Sequence, residues 1–287
     1  MVPTKDRNQS SIFIRYRNEG ILVDCGEGTQ RQFKKKGIPI TKITKILITH
    51  WHGDHVFGLP GIISTLGASE YSGKLQIYGP VGTKKHFDAM FKAFVFDKRI
   101  KLEVNEINKE GKFFENDYFC LETMKLEHGI ITLGYNFIEK DIRHIDTKKV
   151  KKFGIPQGPL LGKLQSNKPI FYKGKKINPN DVTYIEKGKK ITIISDTVPC
   201  KNALKLAKNA DILICESTYT SELEKKGEEY GHMTAKQAGL LANRANVKKL
   251  ILTHFSARYK NTQEIEEDAR AVFDNTIVAE DFMVVKI

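Results

Sequence analysis

The segment Thr49-His50-Trp51-His52-Gly53-Asp54-His55 places four side chains able to hold a metal, His50, His52, Asp54 and His55, within six residues. Imidazole nitrogen and carboxylate oxygen are the usual ligands of a hydrolytic Zn²⁺. The chain has only eight histidines, so three of them in six positions is improbable for an ordinary polar loop. If the segment follows a strand, the loop can aim His50 and His52 at one ion, and the next turn can aim Asp54 and His55 at a second. A sequence echo extends the pattern: Lys45-Ile-Leu-Ile-Thr-His50 and Lys249-Leu-Ile-Leu-Thr-His254 each run Lys, three apolar residues, Thr, His. Ile191–Ile194 followed by Ser195-Asp196 sets a carboxylate at the same kind of place. Polar residues just past strand ends are where sites are commonly built.

The elements that must position these residues can be read from the apolar pattern. Short runs rich in Ile and Val, at Ile12–Tyr16, Ile21–Val23, Ile46–Ile48, Leu75–Tyr78, Ile191–Ile194, Ile212–Cys215 and Leu250–Leu252, predict buried strands. Helical spacing predicts helices over 83–96 (Phe87, Met90, Phe91, Phe94), over 234–245 behind a Thr234 cap, and over 261–273. Strands and helices alternate, so the class is α/β or α+β. The balance of 40% hydrophobic and 28% charged residues excludes a disordered chain, and no apolar run approaches the ~20 residues of a membrane span. The first residues lack a secretory apolar stretch, and Cys25, Cys120, Cys200 and Cys215 form no CxxC pair, so a cytoplasmic protein with reduced, structural thiols is expected.

The net charge is +13, and it is unevenly spread. Residues 139–177 carry eleven basic side chains, among them Lys151 and Lys152, against Glu139, Asp141 and Asp146. The surrounding stretch 139–182 is broken by Gly154, Pro156, Gly158, Pro159, Gly162, Pro169, Gly174 and Pro179 and shows few sustained apolar runs. It reads as an excursion without a core of its own, made to meet a polyanion.

The HxHxDH stretch resembles the signature of the metallo-β-lactamase superfamily. Pro3-Thr4-Lys5-Asp6-Arg7-Asn8, Asp24-Cys25-Gly26-Glu27-Gly28-Thr29-Gln30, Phe57-Gly58-Leu59-Pro60-Gly61, Gly158-Pro159-Leu160, Gly231-His232-Met233-Thr234-Ala235 and Thr253-His254-Phe255-Ser256-Ala257-Arg258-Tyr259 narrow the resemblance to its ribonuclease Z family. Together these motifs run over nearly the whole chain. The resemblance implies an αββα sandwich of two mixed sheets flanked by helices, one domain over 1–287, with 139–182 as an inserted, protruding basic arm that grips tRNA. It also implies a short strand and Gly-rich turn ahead of the Pro-Thr segment, where the sequence has only Met1-Val2.

The activity so implied is removal of the 3′ trailer from precursor tRNA, leaving a 3′-hydroxyl on the tRNA and a 5′-phosphate on the trailer. Two Zn²⁺ are expected, with Mn²⁺ or Fe²⁺ also compatible with such ligands. His50, His52 and His128 match the ligands of one ion, Asp54, His55 and His254 those of the other, and Asp196 the bridge. Asp54 also matches the residue that orients or deprotonates the water. His232 is the candidate donor to the leaving oxygen, with Glu216 to orient it. Arg258 is expected to hold a phosphate oxygen, and Lys151, Lys152, Gly158 and Pro159 to meet the tRNA body. A homodimer is implied by the resemblance alone. His86 and His144 are expected to be surface histidines. The alternative is a metallohydrolase of a small phosphodiester, thioester or lactone, which would need the same ligands but no basic arm.

Overall fold

Runs rich in Ile and Val become strands because β-branched side chains pack well on a pleated, buried surface. A computed structural model of the chain describes residues 2–69, 71–95 and 99–287. In chain order the strands are β1 (Ile12–Tyr16), β2 (Glu19–Val23), β3 (Lys45–Leu47), β4 (Lys74–Pro80), β5 (Lys101–Ile107), β6 (Gly111–Glu115), β7 (Phe119–Leu126), β8 (Thr132–Glu139), β9 (Ile142–Ile145), β10 (Ile170–Tyr172), β11 (Lys175–Ile177), β12 (Thr183–Glu186), β13 (Lys190–Ile194), β14 (Ile212–Glu216), β15 (Lys249–Thr253) and β16 (Thr276–Val278). The chain divides into two compact units, one comprising the stretch up to Phe114 with 121–137 and 190–287, the other comprising 115–120 and 138–189.

The first unit holds two sheets. One has the order β1-β2-β3-β4-β5, the other β16-β15-β14-β13-β8-β7-β6. Helices Thr29–Lys36, Leu59–Ala68 and Thr83–Lys92 cover the first sheet, placing Phe33, Ile62, Leu66 and Phe87 against Ile46 and Ile77. Helices Lys201–Ala207, Ala235–Arg244 and Gln263–Arg270 cover the second, placing Leu206, Ala238 and Ile265 against Leu213 and Leu250. The sheets meet through the Tyr78, Phe113 and Tyr135 rings, and the Tyr135 hydroxyl donates to the Ile48 carbonyl at 2.7 Å. The order helix–sheet–sheet–helix is the αββα sandwich expected from the sequence. Each Leu, Ile or Phe side chain so buried contributes roughly 1.5–3 kcal/mol.

Strand direction puts the chemistry in one place. β2 runs parallel to β3, with Val23 beside Leu47, and β13, β14 and β15 are mutually parallel, with Ile194, Cys215 and Leu252 abreast. Beyond these ends the ladder stops and the backbone can turn. Asp24 and His254 turn there through the left-handed region, with φ of 57° and 61°, a conformation more open to Asp and His than to most residues.

Several element boundaries differ from the sequence reading. The helix expected over 83–96 stops at Lys92, and Phe94 is exposed instead of lying in the core; Phe96 lies outside the described residues. The one expected over 261–273 spans Gln263–Arg270. The eight-residue β7, which leads to His128, is not among the expected strands, because Glu122, Thr123 and Lys125 break its apolar run. Thr234 caps its helix as expected, accepting from the Gln237 N–H while the Gln237 side chain accepts from the Thr234 N–H.

The second unit corrects one expectation outright: it has a core. Val150, Ile155, Leu164, Ile170, Ile177 and Val182 bury against one another. β9 pairs with β12, and β10 with β11 through a two-residue turn at Lys173 and Gly174, with φ of 47° and 74°, the geometry of a tight hairpin turn. Lys151 and Lys152 lie exposed in the last turn of the helix Thr147–Lys152, and Gly158 and Pro159 are exposed at the start of Pro159–Gln165. Lys148, Lys151, Lys152, Lys163, Lys168, Lys173, Lys175 and Lys176 pair with no carboxylate among the described residues. No helix among the described residues is long and apolar enough to cross a membrane.

Candidate metal centre

Past the end of β3, Ile48 and Thr49 lead into His50, and a short helix over Gly53–Val56 turns the chain so that Asp54 and His55 face the same centre. His128 follows β7, Asp196 follows β13 and His254 follows β15. The donor atoms of His50, His52, His128 and Asp196 lie within 4.8 Å of one another, as do those of Asp54, His55 and His254. His50 Nε2 is 3.0 Å from His52 Nδ1, and His128 Nε2 is 3.4 Å from that same nitrogen. Two nitrogens on one tetrahedral ion at ~2.0–2.1 Å would stand roughly 3.3–3.4 Å apart. Asp196 lies between the groups: Oδ2 is 3.5 Å from both His50 Nε2 and His55 Nε2, and Oδ1 is 3.2 Å from His254 Nε2.

Two buried carboxylates fix the imidazoles. Asp24 accepts from His55 Nδ1 at 2.7 Å and from the Thr49 hydroxyl at 2.8 Å. Since that hydroxyl gives its proton to Asp24, it accepts from His50 Nδ1 at 3.0 Å. Glu216 does the same on the other side. It accepts from the Thr218 hydroxyl at 2.7 Å and from His232 Nδ1 at 3.1 Å, and Thr218 in turn accepts from His254 Nδ1 at 3.0 Å. His128 Nδ1 donates to the Gly231 carbonyl at 2.8 Å. Holding the Nδ1 proton leaves the Nε2 lone pair of His50, His55, His128 and His254 turned to the centre. The Nε2 atoms of His55 and His254 are buried and make no hydrogen bond, an unfavourable state that a cation at the centre would relieve.

Charge tells the same story. Burial, followed by the neighbouring His55, pushes His50 down to about 2, which keeps it neutral and its lone pair available to a metal. Burial and His128 lower His52 as well. Burial alone would raise the carboxyls of Asp54 and Asp196, but the surrounding histidines hold both well below their usual range. His55 is raised, because Asp196 and Asp24 outweigh its burial. Two buried anions, with His50 and His52 kept neutral and His55 drawn toward its charged form, make a site that favours positive charge.

Comparison with known proteins agrees with this geometry. Residues 4–125 match the model of the metallo-β-lactamase superfamily, and 174–255 that of a β-lactamase superfamily domain. The chain is 40% identical over 281 residues to the ribonuclease Z of Protochlamydia amoebophila, covering 98% of this chain and 92% of that one. It is also 40% identical to the ribonuclease Z of Chlamydia abortus, over 98% and 91% of the two chains. The chain belongs to the ribonuclease Z family. The crystal structure of human tRNase Z, short form, superposes with a TM-score of 0.73 at 28% identity, covering 100% of this chain and 95% of that one. The metallo-β-lactamase fold protein YhfI of Bacillus subtilis, at 16% identity and a TM-score of 0.68 over 97% and 91% of the chains, shares the fold.

The superfamily fold and the His/Asp donor set together imply a divalent metal in this ribonuclease Z family chain. Around the donors, the other expected residues fall as follows. The His232 ring lies 5.2 Å from that of His128 and 5.3 Å from that of His254, and its donor atom groups with those of Asp196 and His254. Glu216 beside it is wholly buried. Burial would lower His232, but Glu216 raises it on balance. Arg258 is exposed, with its guanidinium 5.4 Å from the Tyr219 ring. His86 is exposed and stacks on Trp51 at 5.3 Å; His144 is half-buried, stacked on Tyr184 and paired with Glu186 at 2.7 Å. Sequence reasoning gave no role to Asp24, Thr49 or Thr218. Asp24 carries the same signal as Asp196, a carboxylate directly after an apolar strand, and could have been found by it.

Proposed function

We propose that this chain is a zinc-dependent endoribonuclease that cuts the 3′ trailer from precursor tRNA, working in the cytoplasm as a homodimer. The observation that carries the reading is the convergence of seven donors, four of them histidines whose Nδ1 protons are held away from the centre, in a chain 40% identical along 98% of its length to a ribonuclease Z. His50, His52 and His128 would hold one ion, Asp54, His55 and His254 a second, with Asp196 shared. What bound ions supply is Lewis-acid stabilisation of the phosphoryl oxygens and a water acidic enough to attack at neutral pH.

The chain's own residues do the rest. Asp54 aligns the attacking water with phosphorus and takes the proton that the water sheds as its oxygen bonds to phosphorus. The phosphorus–O3′ bond breaks on the far side, and His232, held by Glu216, gives that oxygen its proton. The tRNA then ends in a 3′-hydroxyl and the trailer in a 5′-phosphate. The Arg258 fork can hold a non-bridging oxygen. Residues 139–182, with Lys151, Lys152, Gly158 and Pro159, would bind the tRNA body through phosphates. Support for this comes from their unpaired lysines and the folded platform that carries them.

The test is incubation with a trailer-bearing precursor tRNA, followed by analysis of both new ends. Cleavage should require Zn²⁺ after chelation and be lost with bound metal in His52→Ala. A 5′-hydroxyl on the trailer, or cutting that survives removal of metal, would refute the reading.

A further inference from the structure

Phe57 is 61% exposed, yet its backbone is fixed on both sides. Its N–H donates to the Gly53 carbonyl at 2.9 Å, and the Gly58 N–H donates to the Cys25 carbonyl at 2.8 Å. The ring folds back onto Gly53, where an added methyl would collide with it. It therefore lies on the backbone that joins His52 to Asp54, donors of the two different metal groups. No other ring among the described residues stacks on it. A single exposed apolar side chain is ordinary; this one is set apart by its place and by its company. Ile130 and Ile131, 39% and 53% exposed, follow His128, and Tyr230, 56% exposed, precedes His232. Each of these segments brings both a polar group to the centre and an uncovered apolar side chain beside it.

We propose that the Phe57 ring is a stacking surface for a nucleobase next to the scissile phosphodiester. The inference rests on the RNA-cutting reading above. A phosphodiester in RNA arrives with a base on either side, and each base has an apolar face that water solvates poorly. An aromatic ring held in place loses little freedom on stacking, so its contribution goes into binding and alignment. Stacking accepts any base, so Phe57 would position the RNA without imposing a sequence at the cut.

The experiment crosses protein variants with modified RNA. Precursor tRNA is made intact, abasic at the nucleotide 5′ of the cut, or abasic at the nucleotide 3′ of it. Phe57→Ala should lower kcat/KM on intact RNA by roughly 5- to 150-fold, the range expected for one lost base–aromatic stack, with metal content retained. Phe57→Trp should keep the rate. At one of the two positions, the abasic RNA should cost the natural enzyme a similar factor and cost Phe57→Ala little more. If the two losses multiply at both positions, Phe57 does not stack on a base there and the proposal is overturned. Phe57→Leu, which still covers Gly53 but offers no flat face, should behave like Phe57→Ala. Loss of metal from both variants would show that the ring only shields the ligand turn, which also overturns the proposal. Failure of the natural enzyme to cut intact RNA would overturn the functional reading itself, and that result is read before any variant is compared.

Discussion

A histidine can serve as a proton donor only if one nitrogen faces the leaving group and the other is held in a fixed state. His232 meets the second condition through Glu216, which is itself fixed by the Thr197 N–H at 2.6 Å and the Thr218 hydroxyl at 2.7 Å. Replacing His232 by Ala removes no donor of the two main metal groups. Metal content and tRNA affinity should therefore persist while the chemical step slows by roughly 10²–10⁴-fold, the usual contribution of a positioned acid. Single-turnover cleavage at saturating enzyme measures this, and an unchanged rate would leave His232 as a partner for Glu216 and nothing more. At this scale the sequence was highly legible where ligands are neighbours, as in His50 to His55, because strand–loop geometry acts over a few residues. It was poorly legible where a residue works through another. Asp24 and Thr218 touch no substrate; they matter only because folding brings Asp24 to His55 and Thr218 to His254, 31 and 36 residues away.

At the scale of elements, β3 is held in register by an unusual pair. Lys45 is buried, with Nζ 2.8 Å from Glu19 on β2 and 4.3 Å from the centre of the Phe114 ring. Glu19 also accepts from the Thr44 hydroxyl. Burial would raise the Glu19 carboxyl, but Lys45 and Thr44 hold it below its ordinary range. Glu19→Gln should leave a buried ammonium without its anion. The expected cost is about 2–3 kcal/mol at neutral pH, below the 3–5 typical of a fully buried pair because Glu19 is partly exposed. A lowered carboxyl stabilises the fold above its unfolded value and loses that effect as pH falls through the folded value. The gap between the two proteins, measured by denaturant unfolding, should therefore close in acid. Adding Lys45→Met to Glu19→Gln should recover most of the loss; no recovery would show that Glu19 acts through Thr44. The strands before His50, Asp196 and His254 were legible as short apolar runs, unlike β7 before His128, which Glu122, Thr123 and Lys125 interrupt. β5, Lys-Leu-Glu-Val-Asn-Glu-Ile, was not, because a half-exposed strand shows no such run. The helix from Thr83 was read too long because Phe94 fell at the right spacing, although it lies beyond the cap at Ala93 and faces solvent.

For the molecule as a whole, the question is whether the second unit binds substrate or only decorates the fold. Its small core was hidden in the sequence because Val150, Ile155, Leu164, Ile170, Ile177 and Val182 are scattered singly among lysines, and only folding gathers them. Its charge was plain, since nine lysines face Asp146 and Asp181 across 146–182. The topology offers a clean excision. Ile145 on β9 lies opposite Thr183 on β12, so residues 146–182 can be replaced by a short Gly/Asn turn that keeps this pair. The variant loses a charge of about +7 and none of the seven proposed ligands. If these lysines neutralise tRNA phosphates, binding should weaken and its salt dependence should flatten. At roughly 0.7–0.9 per contact in the log–log slope, losing about five contacts would change the slope by about 4 units. Hydrolysis of a small chromogenic diester should survive, because the excision leaves the metal donors and the residues that orient them in place. The two activities should thus part within one variant, assayed by tRNA binding at several salt concentrations and by diester turnover. Unaltered affinity and slope would show that the lysines are solvated surface. Loss of both activities together would show that the segment supports the metal centre, and the tRNA-gripping role would fall.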